Sequence, residues 1–69
     1  MVPFFYVDGG DLMCELGAET YKIAEVWTDS MEFETLEGLK EVYGDIPLTE
    51  NILDMGMIFA EEHGYKVHY

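Results

Sequence analysis

Fifteen acidic side chains against three lysines and no arginine give this 69-residue chain a formal charge of −12. That balance excludes direct binding to DNA or RNA, where phosphate contacts need Lys and Arg, and it disfavours anionic membrane surfaces. A content of 49 % hydrophobic and 14 % aromatic residues excludes a disordered acidic tail, and the single cysteine, Cys14, excludes an intrachain disulfide.

The length allows one domain, residues 1–69, with one small core. The first residues, MVPFFYVDGG, carry no basic segment, and their apolar run is too short for a signal peptide or a membrane span. A cytoplasmic protein is expected. From Val2 to Val7 the chain is aromatic and β-branched, the composition of a strand, with Pro3 placing its start at an edge or strand end. Asp8-Gly9-Gly10-Asp11 is a turn signal. Leu12, Cys14 and Leu16 then alternate with Met13 and Glu15, the period of a half-buried strand. After Gly17-Ala18, strand character resumes from Thr20 to Thr28, and Asp29-Ser30 turns into a short strand at Met31 to Phe33.

Helical spacing begins after Thr35, a candidate N-cap, with Leu36, Leu39, Val42 and Tyr43 on one side and Gly44 just past the end. Gly38 inside this helix costs about 1 kcal/mol relative to Ala, so the helix must lean on packing. Past Asp45-Ile46-Pro47, Thr49 caps a second helix that runs to about His63, with Leu48 and Leu53 spaced as a hydrophobic staple. Gly64 stops it, and Tyr65, Val67 and Tyr69 alternate in a last strand. The pattern predicts an α+β fold of order β-β-β-(β)-α-α-β, a small antiparallel sheet with two helices packed on one face.

No motif for catalysis stands out. Cys14 with His63 or His68 is the one nucleophile–base pairing available, but Cys14 falls on the apolar face of its strand, where cysteine is an inert hydrophobe. The same three residues lack the close spacing of a zinc site. Asp8 and Asp11 flank a turn without the alternating acids of a calcium loop. No enzyme activity, metal or cofactor is expected.

The acids themselves carry more information. Residues two apart on a strand lie about 6.6 Å from one another, and four residues of helix rise about 6 Å. Those intervals are of the order of phosphate spacings, given about 3.4 Å of axial rise per nucleotide and a longer path around the helix. Glu32 and Glu34 have the first interval; Glu37 and Glu41, and Glu50 and Asp54, have the second. Together these six are the candidate contacts to a Lys/Arg-rich, DNA- or RNA-binding protein. Solubility alone is served by a net charge of about 2–8 in magnitude, well below the value here. In the second helix, seven of the nine residues from Ile52 to Ala60 are apolar and surround it. Contact with the sheet and the first helix accounts for part of this, and a homodimer interface at Met55, Met57 and Phe59 for the rest.

In its length, its lack of arginine and acid spacings such as MEFETLEGLKE (31–41), the chain resembles the small acidic host-takeover proteins of phages, DNA mimics among them. That group includes inhibitors of uracil-DNA glycosylase, restriction enzymes, CRISPR effectors and nucleoid proteins such as HU. The resemblance implies an inhibitor that blocks a host protein's nucleic-acid site inside the host cell. Two other classes fit the composition: an oligomeric assembly protein whose acids serve solubility, and an acidic cation-binding protein.

Overall fold

The structure, a computed structural model, describes residues 2–68. Strands β1 (Phe4–Asp8), β2 (Asp11–Leu16), β3 (Glu19–Trp27) and β4 (Ser30–Phe33) form an antiparallel meander. Two-residue turns join them. Gly9 at φ +63° and Gly17 at φ +66° supply the positive φ that the first central residue of a type II′ hairpin turn requires. The third turn puts Thr28 at φ +49° in the equivalent place, an unfavourable conformation for a β-branched residue.

Helices α1 (Leu36–Tyr43) and α2 (Glu50–Glu62) begin at the expected caps. Thr35 Oγ1 accepts from the Gly38 N–H at 3.0 Å, and Thr49 Oγ1 from the Ile52 N–H at 3.3 Å. Each such cap stabilises by about 1 kcal/mol. The staple residues Leu48 and Leu53 are both buried. Strand β5 (Lys66–His68) completes a five-stranded sheet in the order β1-β2-β3-β4-β5.

One expectation is corrected. The sheet is not wholly antiparallel, because β5 pairs parallel with β4. The two helices form a crossover that returns the chain to the end of the sheet from which β4 started, and a strand entering there must run parallel. Tyr65 precedes β5, donating its N–H to the Ala60 carbonyl, and Tyr69 lies outside the described residues.

A β-bulge divides the sheet's alternation. Leu12 faces Ala24 while Met13 faces Lys22, so Ile23 is an extra residue in β3, and Ile23 and Ala24 are both fully buried. The inner face, with Leu12, Cys14, Tyr21, Ile23, Met31 and Phe33, packs with Leu39 of α1, Leu48, and Leu53 and Ala60 of α2 in one core. Gly56 lets α2 lie close on this face, since a Cβ there would sit 2.9 Å from Ile23 Cδ1. Where β4 ends, the Lys22 N–H of β3 loses its ladder partner and donates to the Tyr43 hydroxyl of α1 at 2.9 Å.

Candidate partner-binding surface

The bulge also decides where charge falls. Residues three apart in a regular strand point to opposite faces, but the extra residue brings Lys22 and Glu25 together on the outer face. There the cross-strand register aligns Asp8, Asp11, Glu25, Glu32 and His68 in a row across all five strands. Neighbouring strands are about 4.8 Å apart, so the four carboxylates form a closely spaced line of like charge. Like charges directly opposite one another destabilise a sheet. Lys22 relieves the centre of the row, its Nζ lying 3.3 Å from Asp11 and 3.1 Å from Glu25. The Glu25 and Asp11 hydrogen bonds raise the Lys22 pKa above its ordinary value.

Of the fifteen acids, only Asp11 and Glu25 are partly buried; the other thirteen are exposed. Lys66 reaches Asp29 at 3.8 Å with both side chains in solvent, and no ion pair forms at Lys40 among the described residues.

The six acids singled out from the sequence do not form one face. Glu32 sits in the outer-face row, and Glu37 and Glu41 stand one turn apart on α1. Glu34, Glu50 and Asp54 converge instead, on a groove of about 270 Å³ between the β4–α1 junction and α2. Its apolar floor is Leu36, Leu53 and Met57. Glu34 and Asp54 are twenty residues apart, and only the return of the chain through α2 brings them together. No known protein family, curated protein or solved structure matches the chain.

The remaining candidates separate in space. Cys14 is fully buried on the inner face, where burial pushes its thiol pKa up to about 11, so it carries no thiolate at neutral pH. His68 lies on the opposite face of the sheet, and His63 is engaged at the end of α2. The His63 ring stacks on Phe59 with centroids 4.1 Å apart, and its Nδ1 is 2.8 Å from the Phe59 carbonyl oxygen. Among the described residues no three His, Cys, Asp or Glu side chains are placed to hold a metal ion, and no helix is long and apolar enough to cross a membrane.

The expected dimer residues also divide. Met57 points into the acidic groove, whereas Met55 and Phe59 share a second, apolar groove with Ile58, Pro3 and Phe5 beside β1. Two features escaped the sequence reading: the bulge at Ile23 and the Lys22 bridge. The adjacent apolar pair Ile23-Ala24, interrupting a period of two, was the available signal.

Proposed function

We propose that the protein is an acidic, DNA-mimic-type inhibitor that binds a Lys/Arg-rich nucleic-acid-binding protein and occupies its phosphate-holding surface. The observation that carries this reading is the groove, where three carboxylates stand over an apolar floor with no lysine paired to them among the described residues. A lysine or arginine fits such a site with its aliphatic stem on Leu36 and Met57 and its charged head between Glu34, Glu50 and Asp54. Individual exposed ion pairs contribute only about 0–1 kcal/mol, so an anchor with an apolar floor supplies what the outer acids do not. Those acids extend a field that speeds encounter with a basic partner.

The test is titration calorimetry against a panel of basic DNA-binding proteins, HU among them, across a salt series and with duplex DNA as competitor. Binding is expected to weaken steeply with salt and to be lost to saturating DNA. The combined Glu34→Gln, Glu50→Gln and Asp54→Asn variant is expected to bind at least tenfold more weakly without losing stability. A partner held equally well in saturating DNA would sink the proposal, as would a panel in which nothing binds.

A further inference from the structure

We infer that β1 is the seam of a homodimer, in which two copies join their sheets antiparallel about a two-fold axis at Tyr6. β1 is an edge strand. Asp8 and Asp11 close a two-residue hairpin and exchange both backbone hydrogen bonds, as do the alternate pairs Tyr6/Met13 and Phe4/Glu15. Phe5 and Val7 therefore aim their N–H and C=O groups outward, away from β2. Proteins blunt such edges with charges, bulges or prolines within the strand. β1 carries none of these before its last residue, Asp8: the chain is uncharged from Val2 to Val7, Pro3 precedes the strand, and the bulge lies in β3.

The two-fold at Tyr6 sets Phe5 of each copy against Val7 of the other and uses every outward backbone group of both residues, without calling on the N–H that Pro3 lacks. It also places Asp8 opposite Phe4 of the second copy. The two Asp8 carboxylates then lie about 14 Å apart along the seam, beyond the Debye length of about 8 Å at physiological salt. On the inner face, α2 overhangs the edge. Met55 and Ile58, 44 % and 55 % exposed, form an apolar shelf with Phe59, which packs on Phe5 at a ring separation of 5.8 Å. The Phe5 and Val7 side chains of a second copy would lie beneath that shelf. A basic partner finds no carboxylate from Phe4 to Val7, only Asp8 at the end of the strand and Glu62 at the rim. A second copy offers the matching uncharged segment, Phe4 to Val7, in a self-complementary register.

Sedimentation equilibrium at about 0.05 M and about 0.5 M NaCl tests this, because screening the repulsion between two −12 bodies must tighten the dimer. That salt dependence is opposite to the one expected for the basic partner, so the two proposals fail separately. Val7→Pro removes an outward N–H at an edge position where proline is tolerated, and is expected to be monomeric with an unchanged far-ultraviolet spectrum and unchanged partner binding. Ile58→Glu, on the exposed side of α2, is expected to weaken the dimer at least tenfold. Should Val7→Pro fail to fold, hydrogen exchange at Phe5 and Val7 decides: protection must rise with protein concentration. A monomer at every concentration and salt, a Val7→Pro dimer as tight as wild type, or concentration-independent exchange at both amides each overturns the inference.

Discussion

Gly56→Ala sets helix propensity against packing in a single substitution. In the middle of an exposed helix the change stabilises by about 1 kcal/mol. At Gly56 the new methyl group would stand 2.9 Å from Ile23 Cδ1, 3.2 Å from Phe5 Cε1 and 3.4 Å from Phe33 Cε2. Carbon atoms prefer about 3.5–4.0 Å, so the first two contacts are overlaps. Ile23 is fully buried and can move only by pushing its neighbours. Overpacking of this kind costs about 1–3 kcal/mol, which leaves a net loss of about 1 kcal/mol once propensity is subtracted. For a domain of this size that lowers Tm by about 4–8 °C.

Gly38→Ala in α1 is the control. Its Cβ would lie 3.1 Å from Thr35 Oγ1, an exposed cap that can shift by a few tenths of an ångström, so stabilisation by about 0.5–1 kcal/mol is expected. Thermal and urea unfolding followed by circular dichroism measures both variants. If Gly56→Ala rises in Tm alongside Gly38→Ala, α2 does not approach the sheet as closely as described, and the explanation of Gly56 is wrong.

Three further outcomes follow from charge, backbone and burial. Adding NaCl is expected to raise Tm by screening carboxylate repulsion, as read by calorimetry; a flat response would mean that the acids are already neutralised. Thr28→Gly removes a left-handed penalty of about 1–2 kcal/mol and adds about 0.5–1 kcal/mol of unfolded-state entropy, so a modest gain in urea midpoint is expected and a loss would contradict the strain. The Cys14 thiol is raised from 9.0 to about 11 by burial, so its stabilising contribution is complete below pH 9 and is lost as pH climbs towards 11. Cys14→Ala should flatten that part of the stability profile, and alkylation of the native thiol should proceed no faster than global unfolding; rapid labelling of the folded protein would show the site to be open.

Local signals carried most of the fold. Gly-Gly and Gly-Ala turns, the alternation of Leu12, Cys14 and Leu16, and the Thr35 and Thr49 caps are each decided by a few adjacent residues, and each reappears in the structure. The parallel pairing of β5 was not legible, because three residues such as Lys66–His68 have no composition that distinguishes one strand direction from the other. The candidate site was legible only in part. Spacing along one element placed Glu50 with Asp54, but Glu34 joins them through tertiary packing, and it parts from Glu32 because β4 ends at Phe33, between the two, leaving Glu32 alone on the outer face. Met57 and Met55, two apart on a helix, point to different grooves because they are about 200° apart around its axis.

The two acidic surfaces differ in what already satisfies them, and that difference selects the anchor. In the outer-face row, Lys22 stands where an incoming ammonium would stand, bridging carboxylates from adjacent strands at 3.3 and 3.1 Å. A partner's lysine arriving there must displace it or share its ligands. Glu34, Glu50 and Asp54 have no such internal cation among the described residues. Lys22→Met therefore separates the roles of the two surfaces. It should lower Tm at low salt, because Asp11 and Glu25 lose the charge between them. If the groove is the anchor, affinity for a basic partner should rise only by the long-range effect of one added negative charge, fading as salt increases. A large gain that persists in high salt would instead make the cross-strand row the contact surface, with Lys22 acting as an internal competitor for the partner's lysine.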